Sequence, residues 1–180
     1  SSNDYDLLKE IELKSFWMER DDKLEKNTSI KQLIPYTYIE TPYKKIFIYQ
    51  RANQRENYDE SRLFNKLSCG IGGHIKNEDG MKTGSVIFNG AEREFFEEIK
   101  IDEPMTKFTL VGFINDDEDE VGQVHFGIAF KLGTYNGDKV TILDKEIANG
   151  QFMPIEQAKT LAKRPFMENW SELLLQQIPF

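Results

Sequence analysis

Ala91–Ile101 reads AEREFFEEIKI, and the reading of this stretch decides the fold. At about 100° per residue, Ala91, Phe95 and Ile99 fall on one helix face. Ile87 or Phe88 extends that apolar stripe upstream. Glu94, Glu97 and Glu98 are related by i+3 and i+4, so their carboxylates converge elsewhere on the helix surface. Like charges at that spacing destabilise a helix and raise one another's pKa. A divalent cation removes the penalty, and hard ions such as Mg²⁺ or Mn²⁺ take oxygen ligands of this kind. Taken alone, E-x-x-E-E is more often a solvated acidic face. A competing local signal also sits here, because Asn89-Gly90 is a hairpin dipeptide and residues 85–88 have strand-like composition. The continuous stripe favours a helix from about Gly84 to Ile99, at a cost of roughly 1 kcal/mol for Gly90.

Upstream lies Gly70-Ile71-Gly72-Gly73-His74, where glycines let the backbone approach a ligand or a metal. A glycine-rich strand end, a connecting loop and then R-E-x-x-E-E on a helix resemble the signature of the Nudix hydrolases. That signature runs G-x5-E-x7-R-E-U-x-E-E-x-G-U, with U a bulky aliphatic. Arg93, Glu94, Glu97, Glu98 and Ile101 match its second half, Phe95 stands where an aliphatic is usual, and Gly73 matches the opening glycine. Lys100 takes the place of the last glycine. Gly73 and Arg93 are 20 positions apart where the family pattern has 14, an insertion of six. Asp79 stands six after Gly73 and Ser85 eight before Arg93. Glu78 or Asp79 therefore substitutes for the first box glutamate, or its role is empty. The flanks also resemble a phosphoesterase-like subgroup of the family. Lys31, Gln32, Ile34, Pro35 and Tyr36 match its KQ-x-IPY element, and Gly112–Phe130 matches a later stretch. The resemblance covers about residues 30 to 176.

The resemblance implies an α/β/α sandwich around a mixed sheet. It implies that Glu94, Glu97 and Glu98 hold Mg²⁺ or Mn²⁺ with help from the Gly73 carbonyl. The metal would polarise a diphosphate and orient or activate a water for attack at phosphorus. Arg93 takes a structural role in the box by pairing with acids. The general base is Glu97, or Glu118 or Glu120 reaching over from the acidic loop Asp116–Glu120. The expected reaction is hydrolysis of a nucleoside diphosphate linked to another moiety, X. Two alternatives stand beside it. One is a non-catalytic module that senses a nucleotide, although such modules usually lose part of R-E-x-x-E-E. The other is a prenyl-diphosphate isomerase, which calls for a reactive cysteine near the box. Cys69 lies four residues before Gly73, but further histidines for a second metal are missing.

Other residues carry weaker signals. His74 is loop-borne beside the box and is a candidate substrate contact, while Tyr36 could stack on a base. His125 lies among apolar residues and reads as a satisfied sheet histidine. With two histidines and one cysteine in the chain, an ordinary zinc site is not expected. Residues 116–120 alone read as a solvated hairpin turn.

Length and composition set the remaining bounds. A chain of 180 residues with 39% apolar residues and 13 phenylalanines buries a real core. We read residues 1–28 as a helical extension and 29–180 as the catalytic domain. Thirty-one acids against 23 bases give a net charge of −8, which argues against general nucleic-acid binding. No apolar run approaches the ~18 residues of a membrane span, so a cytoplasmic protein acting on a small molecule is the expectation. Phe16 and Trp17 in the extension offer a homodimer contact. Further along, Ile34–Gln50 reads as two strands broken at Thr41-Pro42, and Leu67–Ile75 as one short strand. Phe108–Asn115 and Val121–Leu132 are strand-like, and Tyr135-Asn136-Gly137 signals a hairpin leading into Lys139–Leu143. Gly150–Met153 is a last strand, Pro154 opens a helix over Ile155–Ala162, and Met167–Gln177 closes the chain as an amphipathic helix.

Overall fold

A computed structural model describes residues 2–52, 65–163 and 165–179. Strand β1 (Gln32–Glu40) is the hub of the sheet. It runs parallel to β7 (His125–Gly133), from Gln32 opposite His125 to Glu40 opposite Gly133. Across the turn at Thr41-Pro42 it pairs antiparallel with β2 (Lys45–Arg51), and it also pairs with the two-residue β4 (Gly70–Ile71). Strand β2 continues to β3 (Leu67–Ser68) and β9 (Ile147–Pro154), while β7 continues to β6 (Thr109–Ile114). One parallel pair among antiparallel neighbours makes the seven-stranded sheet mixed.

Side-chain alternation splits the core between the two faces of this sheet. Tyr36, Tyr38, Ile46 and Ile48 pack on α4 (Ile155–Ala162) and α5 (Asn169–Gln177), against Ala158 and Leu175. Ile39, Phe47 and Tyr49 lie on the opposite face with Phe95, which belongs to α2 (Val86–Glu98). Ile128 and Phe130 pack there against Ile87 and Ala91 of α2 and Leu8 of α1 (Ser2–Lys14). The result is an α/β/α sandwich. Because β1 is covered on both sides, its sequence reads as a nearly unbroken apolar run rather than an alternation.

Helix α2 resolves the conflict between stripe and hairpin dipeptide in favour of the stripe. Ser85 caps it by accepting from the Phe88 N–H at 3.3 Å. Glu12 of α1 adds a second cap, with Oε1 accepting from Ser85 Oγ at 2.5 Å and from the Ile87 N–H at 3.1 Å. Gly90 has a packing reason, since a Cβ there would lie 3.2 Å from both Asp79 Oδ2 and Ile75 Cγ1. The glycine that weakens the helix thus admits the loop carrying Asp79. At the other end Ile99 leaves the helix with φ −132° and ψ 135°, directly into β5 (Ile99–Ile101). Extended backbone needs no glycine, which accounts for Lys100 at that position.

Several sequence expectations need correction. Leu67–Ile75 is two short strands, β3 and β4, that pair with different partners and end at Ile71. Val121–Val124 is not strand but part of the short helix α3 (Glu120–Val124), because Asp119 caps it by accepting from the Gly122 N–H at 2.7 Å. The Tyr135-Asn136-Gly137 turn does not join a β7 hairpin. Strand β8 (Val140–Ile142) pairs with β5 in a separate two-stranded sheet. Glu103 holds the turn by accepting from the Asn136 and Gly137 N–H groups at 3.1 and 2.6 Å. Pro154 is the cap of α4 rather than its first residue. Among the described residues no helix is long and apolar enough to cross a membrane.

Candidate active site

The box centres on Arg93, whose side chain is 8% exposed. Its Nε and Nη2 donate to the two carboxylate oxygens of Asp79 at 2.9 and 2.8 Å. Nη2 also donates to the His74 carbonyl at 3.0 Å, and Nη1 to Glu94 Oε1 at 2.5 Å and Glu97 Oε2 at 3.2 Å. This fork-to-carboxylate geometry is the strongest form an ion pair takes. Asp79 is fully buried on the 3-10 turn Asn77–Met81 and accepts a further bond from the Lys76 N–H at 2.9 Å. Burial works to raise its pKa, but the Arg93 and Lys76 hydrogen bonds and the Arg93 charge prevail and hold it below the ordinary value. Glu78 reaches only 3.6 Å from Arg93. Asp79 is therefore the acid joined to the box arginine, and the six-residue insertion falls between Asp79 and Arg93.

The three box glutamates meet different surroundings. Glu94 abuts Gly73, where a Cβ would lie 2.6 Å from Glu94 Oε2, so any other residue there would displace the Glu94 carboxylate. Lys76 Nζ lies 3.8 Å from Glu94 and 3.4 Å from Glu97, the latter exposed. Glu98 is partly buried where α2 meets β5. Burial raises its pKa most, Arg51 opposes, and Asp144, Glu94 and Glu146 add to the rise, so the group is pushed up to about 8. A carboxyl whose pKa is raised first by burial and then by surrounding acids is a position where a cation restores the ionised form.

In the acidic loop, Asp117 pairs with Lys31 at 2.5 Å and Asp119 caps α3, while Glu118 and Glu120 are exposed. Tyr36 is buried in the α5-facing core. Its hydroxyl lies 2.7 Å from Ser171 Oγ and 3.0 Å from Ser68 Oγ, and donates to Glu168 Oε2 at 3.3 Å. Cys69 is fully buried, and burial pushes its thiol up to about 12, so it supplies no thiolate for isomerase chemistry at neutral pH. His74 and His125, 51 positions apart in sequence, meet with Nε2 atoms 3.2 Å apart. Burial, then the Arg20 charge and His125, push His74 down to about 4. Glu25, on the 3-10 turn Leu24–Lys26, joins them, all three donor atoms lying within 4.8 Å of one another. Sequence reasoning missed Glu25 altogether. A cleft of about 400 Å³ opens beside His74, lined in part by Trp17, Arg20, Lys31 and Gln32.

No protein-family model matches the chain. Protein YmaB of Bacillus subtilis (strain 168) is 34% identical over 172 residues, covering 94% of this chain and 81% of that protein. The crystal structure of Tm1382, described as a candidate Nudix hydrolase, superposes with a TM-score of 0.74 at 27% identity, over 97% of this chain and 86% of that one. The MutT protein from Methanosarcina mazei Go1 shares the fold with a TM-score of 0.56 at 15% identity, over 82% of this chain and 92% of its own. The Nudix domain of Shewanella oneidensis NrtR, solved with ADP-ribose, does so with a TM-score of 0.55 at 13% identity, covering 88% and 91%. With the box arginine, its buried acid and the three helix glutamates in place on this sandwich, the chain belongs to the Nudix hydrolase family.

Proposed function

We propose that the protein is a Mg²⁺- or Mn²⁺-dependent hydrolase that cleaves the diphosphate bond of a nucleoside diphosphate linked to X. The observation that carries this reading is the box itself. Arg93, Glu94, Glu97 and Glu98 all stand on α2, with Arg93 locked to Asp79 and Glu98 crowded by further acids. Oxygen donors with surplus negative charge suit a hard divalent ion. Glu94, Glu97, Glu98 and the Gly73 carbonyl would hold it. When bound, the ion supplies Lewis-acid polarisation of the diphosphate and lowers the pKa of water. Arg93 and Asp79 keep the loop at Gly73 against the helix, and Lys76 balances charge beside Glu94 and Glu97. Removal of a proton from the attacking water falls to Glu97, or to Glu118 or Glu120 from the exposed loop. The substrate class draws support by fold analogy from the ADP-ribose complex of the NrtR domain. Homodimer formation through the exposed Phe16 and Trp17 belongs to the same reading.

The test is release of phosphate and pyrophosphate across a panel of nucleotides and nucleoside-diphosphate conjugates with Mg²⁺, with Glu98→Gln alongside. Turnover by the unaltered protein alone identifies X by its best substrate. No turnover, with a ligand still raising the melting temperature, would transfer the assignment to a sensing module.

A further inference from the structure

Glu25, His74 and His125 come from three separate elements: the turn before β1, the loop after β4 and the first residue of β7. The β1–β7 register sets Gln32 opposite His125, and Gln32 Nε2 donates to Glu25 Oε1 at 3.3 Å. Arg20 Nε donates to the same oxygen at 2.7 Å, so two donors orient this carboxylate. His125 Nδ1 lies 2.7 Å from the Val121 carbonyl, which carries no proton. His125 therefore donates from Nδ1 and, when neutral, turns the lone pair of Nε2 toward His74. The His74 main chain is fixed in turn by Arg93, which donates to its carbonyl at 3.0 Å. Glu25 and His125 are thus oriented from behind, as ligating carboxylates and imidazoles are, while His74 is positioned through its main chain.

The imidazole pair and the Arg20 and Gln32 bonds to Glu25 hold the histidines and the carboxylate separately, yet their donor atoms converge within 4.8 Å. A shared cation accounts for all three. Two Zn–N bonds of about 2.0–2.1 Å at a tetrahedral angle hold their nitrogens about 3.3 Å apart, and the two Nε2 atoms are 3.2 Å apart. Two imidazole nitrogens and one carboxylate oxygen form a three-ligand zinc set that leaves a fourth position for an oxygen ligand. His74, Gln32 and Arg20 also line the cleft, which gives that position an entrance. We propose that Glu25, His74 and His125 form a second metal centre, selective for Zn²⁺ or a similar nitrogen-seeking divalent ion, with its open position toward the cleft. The box carboxylates offer oxygen alone, so the two centres sort metals by donor chemistry.

The experiment uses the full chain, stripped with chelator and dialysed. Zn²⁺ is titrated by calorimetry with excess Mg²⁺ present, and Co²⁺ is added separately as a spectroscopic probe. The expected result is one Zn²⁺ per chain and the intense visible bands of four-coordinate Co²⁺, both retained in Glu98→Gln. Glu25→Gln and His74→Gln should each weaken Zn²⁺ binding by about 100-fold or more, since lesser second-shell changes already cost 10–100-fold. Glu25→Gln keeps side-chain shape on a surface turn, and circular dichroism reports whether each variant is folded. Stoichiometric binding that survives both substitutions, or that vanishes in Glu98→Gln, would place the ion in the box and overturn the proposal. Absence of stoichiometric Zn²⁺ binding, or only the weak bands of six-coordinate Co²⁺, would overturn it equally.

Discussion

Two clusters hang from the Gly72–His74 segment, and they are assembled in opposite ways. On one side, Arg93, Glu94, Glu97 and Glu98 come from successive turns of one helix. On the other, Glu25, His74 and His125 come from three elements brought together by the parallel β1–β7 register. The first cluster contains only oxygen donors and is tied to two cations, Arg93 and Lys76. The second contains imidazole nitrogens, with His125 oriented by the Val121 carbonyl and Glu25 by Arg20 and Gln32. A helix fixes its own spacing, so a local motif announces such a site. A site closed by strand register leaves no local trace.

The sharpest way to break the first cluster alone is Glu98→Gln. It should lower kcat by at least ~100-fold through lost metal-based stabilisation, while Zn²⁺ titration of the same protein stays unchanged. An unaltered kcat in steady-state assays would make the helix carboxylates decorative. Replacing Glu118 and Glu120 together by Gln should cost on the order of 100-fold on the alkaline side and flatten the rise of rate with pH. A profile that stays put would assign proton removal to α2.

The anchor common to both clusters is the Asp79–Arg93 pair, because Arg93 also holds the His74 carbonyl. Asp79→Ala leaves a buried guanidinium without its main partner and should cost about 3–5 kcal/mol in urea unfolding. The same pair sets an acid limit. Asp79 titrates below its ordinary value of 3.8, so its contribution is complete above that value and is lost as pH falls through the lower folded value. Asp79→Asn, less stable near neutrality, should therefore lose less on acidification than the unaltered protein, as melting temperatures between pH 5 and about 2 will show. The smallest effect concerns Cys69. With its thiol pushed up to about 12, it should react with a disulfide reagent only after unfolding.

Where periodicity was uninterrupted, the sequence was readable. The stripe Ile87, Ala91, Phe95 placed α2, and the break at Thr41-Pro42 separated β1 from β2. Asp79 could not be assigned because an insertion erased the box spacing, and only the folded turn shows which acid meets Arg93. Val121–Val124 misled because an apolar run continues into β7, while the deciding signal was the Asp119 cap. The turn at Gly137 misled for a different reason, since Glu103, more than thirty positions away, claims its N–H groups. Glu25 sits in a charge-rich stretch where nothing local sets it apart. Its meaning depends on Gln32 and His125 being neighbours, which is a property of the sheet.

The insertion itself is bracketed by fixed points. Asp79 is clamped by Arg93 before it, Ser85 caps the helix after it, and residues 80–84 between them are exposed. Chain length there is mechanically decoupled from the box, so the segment is a natural graft point. A peptide tag or a foreign recognition loop spliced between Gly80 and Gly84 would be displayed beside the site while its framework stays intact.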